Sequence, residues 1–167
     1  MYFNRFICIL SNTRNHQSTL GIIKKQKMNN SDLKILIAED DILMIKIFEF
    51  ILKKEGYQVT SCKDGLNAIE KIPVLIPDLI ITDIMLPFRS GLEIIGYSKE
   101  NFNNIPIIVV SSLGEEEGTV VEAFNLGADD FVSKPFNPNE LLLRVKRLFA
   151  KRNYDLQPQE IKATFSA

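Results

Sequence analysis

Four β-rich apolar runs, each stopping on a charged or hydroxyl residue, constrain this chain more than any other feature. Lys34–Ala38 stops on Glu39-Asp40, Leu79–Thr82 on Asp83, Ile107–Val110 on Ser111, and Asp130–Ser133 on Lys134-Pro135. A fifth strand is expected at Tyr57–Ser61. Between the strands the apolar spacing changes to that of helices. Ile42–Lys54 carries Ile42, Ile45, Phe48 and Leu52 on one face and stops at Gly56. Asp64–Ile72 is expected to end before Pro73. Gly91–Lys99, Glu115–Leu126 and Pro138–Lys151 complete the set, with Gly127 suited to a left-handed cap.

Five strands alternating with five helices imply an α/β fold, a parallel sheet covered on both faces. Right-handed crossovers restrict the topology. The expected architecture is flavodoxin-like and doubly wound, with five strands in the order 2-1-3-4-5, so that strands one and three are neighbours. In such a sheet the carboxyl ends of the strands converge on one edge. Residues 32–150 form the domain in this reading. Residues 1–31 are a disordered or mis-called extension, with Met28 a candidate initiator, and 151–167 are a short polar tail. Phe6–Leu10 is far too short to span a bilayer and lacks the features of a signal peptide.

Charge narrows the function classes. Residues 32–150 hold 12 Lys/Arg against 19 Asp/Glu, a net of about −7, which disfavours nucleic acid as a direct partner. Cys8 and Cys62 form no metal-binding spacing, which fits a reduced, cytoplasmic protein.

With strands one and three adjacent, Glu39, Asp40 and Asp83 lie close together. Three carboxylates at such range repel, and a hard divalent cation resolves the repulsion. Mg²⁺ is the expected metal. Asp83 is then a candidate nucleophile toward a phosphoryl group. Lys134 supplies a point charge and Ser111 a hydroxyl donor for its oxygens. Structural readings stand beside these. Asp41 can cap the first helix, Ser111 can cap a turn, and Lys134 can be a solvated surface lysine.

These residues, matching together in type, order and spacing, resemble the receiver domain of bacterial two-component response regulators. The resemblance implies a phosphoacceptor signalling switch rather than an enzyme, with Asp83, Ser111 and Lys134 as the reacting set. It implies Mg²⁺ on Glu39, Asp40, Asp83 and the carbonyl of Met85, and a cis bond between Lys134 and Pro135. It implies switching through Ser111 and Phe131, although Phe131 can equally be a plain core residue. The implied partners are a sensor histidine kinase or histidine phosphotransfer protein and an unknown downstream protein, with no membrane. Subfamily dimers use cross-paired charges. Asp130 and Arg144 fit one pair, but Glu122 would meet Glu140, so a monomer or a weak phosphorylation-dependent dimer is expected. Met85 and Leu113, both apolar, orient an attacking water poorly, so self-dephosphorylation is expected to be slow. The alternative is a DNA-binding regulator that has lost its output domain.

Other enzymes of similar fold fit less well. Ala38-Glu39-Asp40-Asp41 cannot cradle a flavin phosphate, and there is no P-loop. A haloacid-dehalogenase-type phosphatase would place an Asp two residues after the strand-one nucleophile, where this chain has Ile42.

Overall fold

The computed structural model describes residues 29–102, 104–112 and 117–155. A 3₁₀ turn at Asn30–Asp32 leads into β1 (Lys34–Ala38), α1 (Ile42–Lys54), β2 (Gln58–Cys62), α2 (Gly65–Leu75) and β3 (Leu79–Thr82). Then follow α3 (Gly91–Asn101), β4 (Ile107–Ser112), α4 (Glu117–Asn125), β5 (Asp130–Lys134) and α5 (Pro138–Asp155). The sheet is parallel throughout, in the order β2-β1-β3-β4-β5, as expected.

The period-two geometry of a strand splits the core in two. Ile35 and Ile37 of β1 point to the face covered by α1 and α5, against Phe48, Leu52, Leu141 and Val145. Leu36 and Ala38 point to the other face, against Ala68 and Ile72 of α2 and Ile94 and Ile95 of α3. The β1 and β3 side chains are almost wholly buried, which explains their unbroken apolar character.

Helices α1, α2 and α3 begin at the sheet edge that carries the polar strand ends, and each of the three is fixed by a side-chain cap. Asp41 accepts from the Leu43 and Met44 amides at 2.7 and 3.3 Å, so it serves as a cap. Asp64 accepts from Asn67 at 2.7 Å. Ser90 and Glu93 form a reciprocal capping box.

Helix ends differ from the sequence expectation at four places: α3 runs two residues past Lys99 to Asn101, α4 stops one residue short of Leu126 at Asn125, and α2 and α5 both run on. α2 does not stop before Pro73 but continues to Leu75. Pro73 is exposed and sits in the last turn, where its missing N–H removes one ladder bond just before the helix ends. α5 runs past Lys151 to Asp155, and Arg152 binds the Asp78 carboxylate at 2.7 Å. At the other end, Asn30 donates to the Glu55 carbonyl at 2.8 Å. The early segment with Met28, and the tail from residue 156, lie outside the described residues.

α2 closes on Ile76 at φ +46°, with its N–H on the Ile72 carbonyl at 2.8 Å. A β-branched residue is strained there, and Ile76 is exposed and has little packing to lose. Ile76→Gly is expected to stabilise the fold by about 0.5–1 kcal/mol, read as a raised urea midpoint at unchanged slope.

Candidate functional site

Adjacent β1 and β3 bring their ends together. Asp83 N–H bonds the Ala38 carbonyl at 2.9 Å, which locks the residue after β3 beside the last residue of β1. One carboxylate oxygen each from Glu39, Asp40 and Asp83 then lies within 4.8 Å of the others. Glu39 is buried, Asp83 nearly so, and Asp40 is exposed.

Lys134 reaches this cluster from the end of β5. Its ammonium donates to Glu39 Oε2 at 2.7 Å and to Asp83 Oδ2 at 2.5 Å. The bond from Lys134 to Pro135 is cis. Burial works against the Lys134 charge, but the two carboxylates together outweigh it and raise its pKa above the ordinary lysine value. Glu39 moves the other way from a typical paired carboxylate. Burial dominates and raises its pKa, while the Lys134 bond only partly offsets it. One ammonium against three carboxylates leaves the pocket with a surplus of negative charge and hard oxygen donors, a set that suits Mg²⁺.

Ser111 lies near the end of β4, paired in register with Ser133 of β5, one residue before Lys134. It is fully buried, and its hydroxyl has no hydrogen-bond partner among the described residues. Phe131 stands opposite Val109 and packs, partly buried, against the α2–α3 face of the core. Met85 is exposed, and its N–H donates to Asp83 Oδ1 at 3.2 Å. Leu113 lies outside the described residues.

The match to known proteins agrees with this arrangement. Residues 35–146 match the family model described as the response regulator receiver domain. The chain belongs to the response regulator receiver family. A CheY-like response regulator receiver domain protein from Methanospirillum hungatei JF-1 is 28% identical. It superposes with a TM-score of 0.71 over 74% of this chain and 98% of that one. CheY of Borrelia burgdorferi, solved in a complex with CheX, BeF₃ and Mg²⁺, is 28% identical with a TM-score of 0.66, over 70% of this chain and 89% of that one. NtrX of Brucella abortus, solved with ADP, is 29% identical with a TM-score of 0.67. There the match covers 73% of this chain but 27% of the other. Among the receiver's described residues no helix is long and apolar enough to cross a membrane.

Three features of the receiver site were not read from the sequence. The first is a pair of glycines. Gly65 donates its N–H to Pro87 O at 3.1 Å, and Gly91 donates to Ile84 O at 2.9 Å. A Cβ on Gly65 would lie 1.8 Å from Arg89 O, and one on Gly91 would lie 2.1 Å from Asp83 O. The signal was present as two cap-plus-glycine pairs, Asp64-Gly65 and Ser90-Gly91, each opening a helix at this edge. The second is Phe88, at φ +66°. The third concerns Asp130, which is paired within the chain to Arg144 at 2.7 Å and Arg147 at 2.8 Å. Arg144 also binds Glu140 at 2.6 Å, so Asp130, Arg144 and Glu140, three of the four charges considered for a dimer contact, pair inside one chain.

Proposed function

We propose that this receiver is a cytoplasmic phosphoacceptor switch, phosphorylated on Asp83 by a histidine kinase or a histidine phosphotransfer protein. The observation that carries the reading is the meeting of Asp83, Glu39 and Asp40 with Lys134, which comes from 51 residues further along the chain. A carboxylate oxygen of Asp83 attacks the phosphorus of a phosphohistidine. The P–N bond breaks, its electron pair stays on the imidazole, and an acyl phosphate forms on Asp83.

Each neighbour has a task in that step. Lys134 is already bonded to Asp83, so its ammonium stands where the new phosphoryl oxygens gain charge. Ser111 has a buried hydroxyl in need of an acceptor, which a phosphoryl oxygen supplies. Glu39, Asp40, Asp83 and the Met85 carbonyl would hold Mg²⁺. When bound, the ion neutralises charge on the phosphoryl oxygens. The complex of the Borrelia protein with BeF₃ and Mg²⁺ supports this reading by analogy.

The switch follows from the same residues. When Ser111 turns toward a phosphoryl group, Phe131 moves into the space beside it, and the β4–β5 surface changes shape. Output is then by protein–protein contact, from a monomer or a weak phosphorylation-dependent dimer. Trapping with hydroxylamine tests the site. It converts an acyl phosphate to a hydroxamate, which peptide mass should locate at Asp83; a modified residue elsewhere rejects the assignment. Met85 offers no group to orient an attacking water, so the phosphorylated protein is expected to persist for longer than minutes when phosphate release is followed without a phosphatase.

The likeness to NtrX favours a second reading of the output, since that receiver-like region is about a quarter of a longer chain. A receiver cut from a DNA-binding regulator would keep the same phosphoacceptor chemistry. The coding sequence downstream of Ala167 decides between the two.

A further inference from the structure

The acidic pocket opens at the sheet edge, and the segments after β1, β2 and β3 each expose large apolar side chains there. Ile42 and Leu43 follow β1, Leu66 follows β2, and Met85 and Phe88 follow β3. Phe88 is the extreme of the five, at 82% exposed. Its φ of +66° closes a tight turn in which Arg89 N–H bonds Pro87 O at 2.8 Å. Glycine or asparagine adopts that conformation with little strain, whereas phenylalanine does not. The ring lies largely in solvent, so burial inside the chain offsets little of that strain.

Ile76 is also left-handed, at the far end of the sheet where it closes α2, so the backbone alone is not decisive. Position is what separates the two. Phe88 follows Asp83 by five residues, on a loop pinned at both sides by the Gly65–Pro87 and Gly91–Ile84 hydrogen bonds. A rigid exposed aromatic on the rim of a reactive pocket has the character of a binding hot spot.

We infer that Phe88, with Met85 and Leu66, is the docking anchor for the protein phosphodonor, which lays an apolar surface around its phosphorylated histidine. The inference rests on the phosphoacceptor reading of Asp83. In-line transfer to a carboxylate that is only 8% exposed requires the donor histidine to enter the mouth, so the surface around that histidine must cover the rim. Asp40 and Asp41 are exposed at the same edge and would repel an acidic surround. Apolar contact supplies the attraction, and a small phosphodonor has no need of it.

Phe88→Gly separates the two kinds of donor, because it removes the ring and relaxes the turn without touching Asp83 or Lys134. The small donor is acetyl phosphate with Mg²⁺. The protein donors are the histidine kinases of the same genome, each autophosphorylated with radiolabelled ATP. The expected result is wild-type labelling of Phe88→Gly by acetyl phosphate. Transfer from the kinase that labels the wild type should fall at least tenfold, through KM and not the maximal rate, with Phe88→Leu recovering much of it. Undiminished kinase transfer overturns the inference. Equal loss with both donors also overturns it, by making Phe88 a support for the loop. If sedimentation shows a wild-type dimer that Phe88→Gly abolishes, the ring belongs to a contact between two copies and the inference fails. Wild-type labelling by acetyl phosphate but by none of the kinases rejects the docking role and leaves the phosphoacceptor reading standing. No labelling from any donor rejects that reading itself.

Discussion

Lys134→Met is expected to slow phosphoryl uptake from acetyl phosphate by roughly 10²–10³-fold, the typical cost of removing one donor aimed at developing charge. The ammonium lies 2.5 Å from Asp83 and 2.7 Å from Glu39, so it already stands at the carboxylate that takes the phosphoryl group. The same change weakens the fold. It removes the only cation within ion-pair distance of the two carboxylates among the described residues, and Glu39 is almost fully buried. Stranding buried charge in this way costs about 3 kcal/mol.

The pH dependence has a definite sign. Burial raises the Glu39 pKa in the folded protein above its ordinary value of 4.5. The folded state therefore binds a proton more readily than the unfolded state, and stability falls as pH rises through the folded value. Lys134 softens that fall in the wild type. The stability gap between Lys134→Met and wild type should be widest at neutral pH and should narrow as Glu39 is protonated. Urea unfolding at neutral pH and just above pH 4.5 measures both gaps, and a gap independent of pH contradicts the assignment.

Gly91→Ala and Gly65→Ala should damage the protein by a different route. The new methyl group of Gly91→Ala would lie 2.1 Å from Asp83 O and 2.9 Å from Asp83 C and Ile84 Cα. That of Gly65→Ala would lie 1.8 Å from Arg89 O. The nearest atoms in both cases are backbone, which cannot step aside as a long side chain can. A loss of about 3 kcal/mol is expected for each, at the upper end for an overpacked site. Gly96→Ala is the control. It lies within α3, a Cβ there meets nothing within 4 Å, and alanine favours the helix by about 0.5–1 kcal/mol. Thermal unfolding of the three variants should show two large losses and one small gain. Whatever fraction of Gly91→Ala folds should also accept phosphate poorly, because the clash falls on the carbonyl of the phosphoacceptor residue.

The strand order and the carboxylate cluster were legible in the sequence for a local reason. Each apolar run is short and unbroken, and the polar residue that ends it stands out. Asp83 and Glu39 could be placed together once β1 and β3 were known to be neighbours. The double grip of Lys134 on both was not legible, because it depends on how far its side chain reaches from the end of β5 across β4 and on which acceptors are left free there. The two glycines looked like ordinary helix starts, since the carbonyls they approach lie more than twenty residues away for Gly65 and across a turn for Gly91. Pro73 reads as a stop because proline breaks a helix interior, yet the single ladder bond it removes leaves α2 only two more residues to run, to Leu75. Phe88 gave no signal at all, since nothing in its residue type announces a left-handed backbone.

Intact mass after incubation with acetyl phosphate and Mg²⁺ tests the central claim most directly, run beside Asp83→Asn and a chelated sample. A gain of one phosphoryl group is expected in the wild type alone, dependent on Mg²⁺ and absent from both controls. A gain that survives Asp83→Asn, or that is indifferent to chelation, would contradict the assignment of Asp83 and its carboxylate neighbours as a metal-assisted phosphoacceptor.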